Sequence, residues 1–103
     1  MTYDTIETVL NELGLPYAYF QFKSKPRSIP YVAYFEDEKL RFMADDKVYR
    51  FEPHFAIELY TTKKDPELEN RLIELFDQHE VPWSGGETAY IESEHMFQTV
   101  FYC

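Results

Sequence analysis

The sequence contains a single cysteine, Cys103, among its 103 residues. One thiol cannot form an intramolecular disulfide, and the zinc pattern with four thiolate ligands is excluded for the same reason. A chain of this length is nevertheless large enough to bury a core without disulfides or metals. We therefore expect one domain over residues 1–103, held together by apolar packing.

Basic residues are also scarce, with ten Lys and Arg against nineteen Asp and Glu and a formal charge of −9. Such a protein repels phosphate backbones and anionic membrane surfaces, so sequence-specific nucleic-acid binding is not expected. Lys23, Lys25 and Arg27 are a local exception between two strand-like runs. This basic segment is interpreted either as a solvated hairpin tip or as a contact to an acidic partner or to DNA.

Long apolar runs are missing. No stretch approaches the length of a membrane span, and the first ten residues, MTYDTIETVL, lack the positive start and apolar core of a signal peptide. We expect a protein without membrane association that is made and kept in the cytoplasm. A component of a released particle would have the same features.

Aromatic residues are abundant, with nine Tyr and nine Phe, and 45% of all residues are hydrophobic. This composition excludes intrinsic disorder. The aromatic residues lie in short alternating runs, which favours a sheet because large flat side chains pack well on a pleated surface.

A strand leading into a helix is the clearest local pattern, in residues 55–76, FAIELYTTKKDPELENRLIELF. Apolar side chains alternate along residues 55–59, as in a strand with one buried face. Asp65 and Pro66 then predict a helix N-cap and first helical residue. The helix carries one apolar stripe, formed by Leu68, Leu72, Leu75 and Phe76.

The first helix is predicted from Asp4 and Glu7, which have the spacing of a capping box, and it ends before Gly14 and Pro16. Its apolar stripe consists of Ile6, Val9, Leu10 and Leu13.

The remaining patterns predict short strands joined by polar turns, and Ser84-Gly85-Gly86 is predicted to be a flexible turn. The order is α-β-β-β-β-α-β-β, a single α+β domain with two amphipathic helices and a mostly antiparallel sheet that grows as a meander. The expected strands cover residues 17–22, 29–35, 40–44, 48–61, 89–91 and 96–102.

Catalytic and metal-binding patterns are not found in the sequence. Two close pairs of carboxylates, Asp45 with Asp46 and Glu92 with Glu94, fall in predicted turns where acids are ordinarily solvated. The histidines lie in three different elements, without a spacing that places two ligands on one face: His54, His79 and His95. We predict no catalytic, cofactor or metal site, and no enzyme activity.

Three stretches of the sequence carry a family resemblance, over roughly residues 15–103. The stretches are IPYVAYFEDE, FMADDKVYRFEPHFAIELYTTKKDPELENRLIELFDQHEVPW and AYIESEHMFQTVFYC. They resemble small proteins of tailed bacteriophages and of prophages of Gram-positive bacteria that are associated with tail completion or head-to-tail joining. The resemblance implies an α+β subunit that forms or joins a ring at the head-proximal end of the tail tube. It implies no catalytic residues, and it leaves open whether the protein is a tail terminator or a joining protein.

The resemblance also implies partners: other copies of the chain, the tail tube protein and the head-tail connector. The protein would be located in the host cytoplasm during assembly and afterwards in the virion. The implied mechanism is geometric, since a ring would cap the tube and present a second surface to the connector.

Ring closure is heterologous, so each subunit needs two different patches. We expect exposed edge strands near residues 31–34 or 97–102 to supply part of one patch. The basic segment is expected to contact a neighbouring subunit or the connector. The expected interface residues are Lys23, Lys25, Arg27, Tyr31, Tyr34, Phe97 and Tyr102.

An alternative function is a cytoplasmic protein-interaction module. It would act as an adaptor or inhibitor whose acidic surface mimics nucleic acid.

Overall fold

The structure, a computed structural model, describes residues 2–19, 29–37 and 54–103. Within these ranges two α-helices and a five-stranded, mostly antiparallel sheet confirm the α+β class and follow the predicted order. The predicted strand at residues 40–44 and the first part of the strand at 48–61 lie outside the described residues. The elements are α1 Tyr3–Leu13, β1 Tyr17–Tyr19, β2 Tyr31–Glu36, β3 Phe55–Thr61, α2 Pro66–Gln78, β4 Ser84–Ile91 and β5 Met96–Tyr102.

Helix α1 starts earlier than its sequence pattern indicated. The N-cap is Thr2, whose hydroxyl accepts a hydrogen bond from the Thr5 backbone N–H, so the predicted Asp4 capping box is wrong and Asp4 lies in the first turn. The helix ends as predicted at Gly14, which adopts the left-handed conformation (φ +83°). The predicted stripe is buried in full: Ile6, Val9, Leu10 and Leu13.

Helix α2 begins as its sequence predicts. The Asp65 carboxylate caps the helix by accepting a hydrogen bond from the Leu68 backbone N–H at 3.2 Å, and Pro66 is the first helical residue. Leu72, Leu75 and Phe76 are buried and Leu68 packs against the core. Burial of this stripe contributes on the order of 6 to 10 kcal/mol before the loss of conformational entropy is subtracted.

The strands are arranged in the order β1-β2-β3-β5-β4, and the predicted meander is wrong at its first pair. Strand β1 runs parallel to β2, with Tyr17 opposite Val32 and Tyr19 opposite Tyr34. A parallel pair cannot be joined by a tight turn and needs a longer crossover connection. The two strands therefore do not form the hairpin that the sequence suggested. The other three neighbouring pairs are antiparallel.

One face of the sheet packs against both helices. Strand β3 lies in the middle and contributes Phe55, Ile57 and Leu59 to this face, all of them completely buried. The opposite face, which we call the second face, carries the alternate side chains of the same strands. The core is completed by Val32, Tyr34, Phe101 and the apolar stripes of α1 and α2.

The Gly85-Gly86 pair belongs to strand β4, so the predicted flexible turn is wrong. The register between β4 and β5 shifts between Gly85 and Glu87, which forms a β-bulge, and both glycines have φ of +87°. A Cβ atom on Gly85 would lie 2.7 Å from the Val100 carbonyl oxygen and 2.9 Å from Cδ2 of Tyr102. Only glycine allows this close approach of the two strands.

We expect Gly85→Ala to lower the free energy of unfolding more than Gly14→Ala. Both substitutions place a side chain at a positive φ, at a cost of about 1 to 2 kcal/mol. At Gly14 nothing lies within 4 Å of the added Cβ, whereas at Gly85 the backbone of β5 must also move. Urea unfolding of the two variants measures the difference, and equal losses would show that the bulge tolerates a side chain.

Candidate interaction surface

The strands predicted to form exposed edges are interior strands. Strand β2 lies between β1 and β3, and β5 lies between β3 and β4, so the expectation of edges at residues 31–34 and 97–102 is wrong. The reason is topological: β1 adds in parallel outside β2, and the glycine pair extends β4 along the whole of β5. Among the described strands, the edges of the sheet are β1 and β4.

Of the expected interface residues, Lys23, Lys25 and Arg27 lie outside the described residues. Tyr34 is a core residue with 2% of its surface exposed, and its hydroxyl donates a 2.7 Å hydrogen bond to Glu7 Oε2. Its ring therefore cannot be presented to a partner, and its assignment to an interface is corrected.

Phe97 lies half-buried at the end of the sheet, where its ring centroid is 5.0 Å from that of Tyr90 on β4. Tyr90 is the more accessible of the two, with 52% of its surface exposed. The apolar surface at this position is therefore shared between an interior strand and the edge strand.

Tyr31 lies on the second face, where its ring stacks on Tyr60 with centroids 4.8 Å apart. The Tyr60 hydroxyl donates a 2.9 Å hydrogen bond to Glu58 Oε1 and accepts one of 2.8 Å from Gln98 Nε2. This network fixes the Glu58 carboxylate in the middle of the sheet.

Both of these phenols remain protonated far above neutral pH. Burial is the largest cause that raises the pKa of Tyr60, and its hydrogen bond to the Glu58 carboxylate adds to the effect, while the Gln98 hydrogen bond opposes it. Burial, followed by the negative charges of Glu94 and Glu58, also raises the pKa of Tyr31. The Tyr60 hydroxyl is therefore a lasting donor to Glu58.

A row of side chains crosses the second face from β3 to β4. Glu58 is opposite Val100 on β5, and Val100 is opposite Glu87 on β4. Two strand spacings separate the carboxylates, about 10 Å at roughly 4.8 Å per strand. Glu87 is exposed and makes no hydrogen bond or ion pair within the part of the chain that the structure describes.

A shallow groove of about 400 Å³ lies over β4 and β5 at the Glu87 end of this row, and we call it the β4 groove. Glu58 is outside its lining, one strand further into the sheet. The lining contains a carboxylate from Glu87, an amide from Gln98 and an aromatic ring from Tyr102. The small residues Gly85 and Ala89 leave room between these side chains. This combination suits a side chain with an apolar stem and a positive end, because the stem packs on the ring while the charge meets the carboxylate.

Glu58 and Glu87 are not among the site residues predicted from the sequence. The alternation of apolar and polar residues along β3 places Glu58 on the side away from the core, so its position could have been predicted from the sequence. The alignment of Glu87 with Val100 depends on the bulge at Gly85, which no local pattern revealed.

Charge is distributed very unevenly along the chain. The described residues contain fifteen Asp and Glu but only three Lys and Arg, a net charge of −12. The other seven basic residues all fall within residues 20–28 and 38–53: Lys23, Lys25, Arg27, Lys39, Arg41, Lys47 and Arg50.

Within residues 2–19, 29–37 and 54–103, no three His, Cys, Asp or Glu side chains are grouped so that they could hold a metal ion. Two histidines have structural contacts: His79 Nε2 is 3.1 Å from Glu12 Oε2, and His95 Nδ1 is 3.4 Å from the Tyr90 hydroxyl. No helix in these ranges is both long and apolar enough to cross a membrane.

Comparison of the chain with protein-family models, with curated proteins and with solved structures finds no match.

The raised pKa of Tyr60 predicts a loss of stability in alkali. The unfolded chain releases this proton at about pH 10, whereas the folded chain retains it, so the contribution is fully present below about pH 10 and is lost as the pH rises above that value. Tyr60→Phe removes the titrating group. We expect its free energy of unfolding to fall less steeply between about pH 10 and 11 than that of the wild type. Urea unfolding at several pH values measures this, and identical slopes would contradict it.

Proposed function

We propose that this protein is a non-enzymatic virion assembly subunit of a tailed bacteriophage or prophage. It acts in a ring at the head-proximal end of the tail, in tail completion or head-to-tail joining. The resemblance of three sequence stretches to that family supports the proposal.

The observation that carries the proposal is the pair of different open edges on one sheet. Among the described strands, β1 is a three-residue edge with parallel pairing, and β4 is an eight-residue edge with antiparallel pairing. No residue of β4 is buried, so its outer main-chain groups are accessible. Two unlike surfaces on one subunit are what a heterologous, ring-forming contact requires.

The positions of the resembling motifs are consistent with a shared fold. IELYT at residues 57–61 forms most of the central strand β3, KDPE at 64–67 contains the N-cap of α2, and YIESE at 90–94 contains the turn before β5. Each motif therefore has a structural role in this fold, which supports a resemblance in architecture. A subunit that acts by shape needs nothing more.

The acidic body fits a position around the DNA path. The chain carries a net charge of −9. An acidic inner wall repels the phosphate backbone and lets DNA pass without binding.

Deletion of the gene from its phage is expected to yield DNA-filled heads and separate tails, because the joint between them is not completed. Electron microscopy of the lysate identifies both particles, and tail lengths show whether termination also fails. Expression of the wild-type chain from a plasmid should restore infectious particles. Normal yields of joined, infectious particles from the deletion phage would contradict the proposed function.

A cytoplasmic interaction module, an adaptor or inhibitor with an acidic surface, is the second candidate. The chain's net charge of −9 favours it, because an acidic surface attracts basic proteins that bind nucleic acid. The deletion experiment separates the two candidates, since loss of a module would leave particles intact.

A further inference from the structure

We propose that the β4 groove binds the basic segment at residues 23–27 of a neighbouring copy of this chain. The proposal rests on the self-assembly of the proposed function and identifies the contact that holds adjacent subunits together. It assigns a role to the groove and to the three cations of the basic segment.

The acceptor is the row of two carboxylates on the second face. Glu58 and Glu87 lie about 10 Å apart on either side of Val100. Glu58 is held in place by the Tyr60 hydroxyl at 2.9 Å, whereas Glu87 is exposed and makes no contact of this kind within the described residues. The groove opens at β4, which is an edge of the sheet, so a neighbour can approach from the side.

The donor has a matching spacing in its sequence. In Lys23-Ser24-Lys25-Pro26-Arg27 the cations occupy alternate positions, and residues 20–28 contain no acid. When such a segment binds in an extended form, alternate side chains point to one side about 7 Å apart. Two adjacent cations, with their long flexible stems, therefore span the distance between Glu58 and Glu87. Tyr102 offers its ring to one of these stems.

Chain length favours a neighbouring copy over the subunit's own segment. Residue 20 follows Tyr19 on β1, which is the strand farthest from β4, about 19 Å away across four strand spacings. Lys23 lies four residues beyond Tyr19, so a fully extended main chain carries it at most about 14 Å. The segment is also tied at its other end, because Lys25 and Arg27 lie four and two residues before Ile29, which precedes β2, and β2 is three strand spacings, about 14 Å, from β4. From Ile29 the main chain carries Lys25 at most about 14 Å and Arg27 at most about 7 Å, so only a fully stretched segment of the same subunit would reach β4. A second copy at the β4 edge is not limited in this way.

The strength of the contact follows from its exposure. Ion pairs at the protein surface are individually weak and are screened by salt. Two pairs formed together give a contact that is specific in register and that weakens as ionic strength rises.

Crosslinking between differently labelled copies tests the proposal. In a Cys103→Ser background, a copy with Ala89→Cys is mixed with a copy with Ser24→Cys and treated with a short bismaleimide. Ala89 lines the groove and Ser24 lies between two of the cations, so both substitutions leave the proposed charges in place. Each copy then has one thiol, so a crosslink between position 89 and position 24 must join two molecules. The matched control replaces Ala89→Cys with Asn70→Cys, at an exposed residue of α2.

We expect a several-fold higher yield of the mixed dimer from position 89 than from position 70. The excess should disappear at about 1 M salt, where the Debye length falls to roughly 3 Å. Equal yields from the two positions would overturn the proposal.

Charge reversal gives an independent test with a rescue. Two variants should each weaken self-association in sedimentation experiments by roughly five- to tenfold. One is Glu87→Arg, and the other is the triple variant Lys23→Glu, Lys25→Glu, Arg27→Glu. Glu74→Arg should not weaken self-association. A mixture of the Glu87→Arg protein with the triple variant should restore association. Failure of the mixture to associate better than either variant alone would overturn the proposal.

These measurements use purified protein and separate the two proposals. Crosslinking through position 89 together with a normal deletion phage would overturn the virion role and leave the groove contact standing. A defective deletion phage without the crosslink would overturn only the groove contact.

Discussion

The alternation of side chains along β3 is the constraint on which the rest of the structure depends. Phe55, Ile57 and Leu59 are completely buried beneath the two helices. Since strand side chains alternate, the intervening residues must lie on the second face. The same strand pairs with β2 on one side and with β5 on the other, where Phe55 and Cys103 exchange main-chain hydrogen bonds of 2.7 and 2.9 Å. The alternation along this one strand therefore decides which side chains enter the core and which lie on the second face.

Glu58 shows how this constraint leads to a surface with a defined chemistry. A carboxylate on a central strand loses part of its hydration, and that loss must be compensated by hydrogen bonds. Tyr60 supplies the hydrogen bond and is itself fixed by Gln98 and by stacking with Tyr31. A charge held in one orientation is better suited to recognition than a freely rotating one, because less side-chain entropy is lost when a partner binds.

Local signals predicted the helices and most strands, but contacts between distant residues decided the surface. Asp65-Pro66 and Gly14 act within one turn of their own helix, so their effects could be read from the sequence. The parallel pairing of β1 with β2 and the bulge at Gly85 depend on partners far along the chain. These two features decide which strands are edges. Tyr34 was therefore assigned to an interface although it lies in the core, and the row from Glu58 to Glu87 was not foreseen.

The separation of charge along the chain constrains how copies of this protein assemble. Two copies that each carry a net charge of −9 repel one another, so an interface without pairs of opposite charge starts from an unfavourable electrostatic term. The proposed ring avoids this cost by placing the cations at residues 23–27 of one subunit against the acidic groove of the next. Because each exposed pair is weak, the contact adds little until several subunits are held side by side. In the proposed role, a tail end that presents its own subunits in a ring would raise the local concentration of bound copies, which would favour assembly there over assembly in free solution.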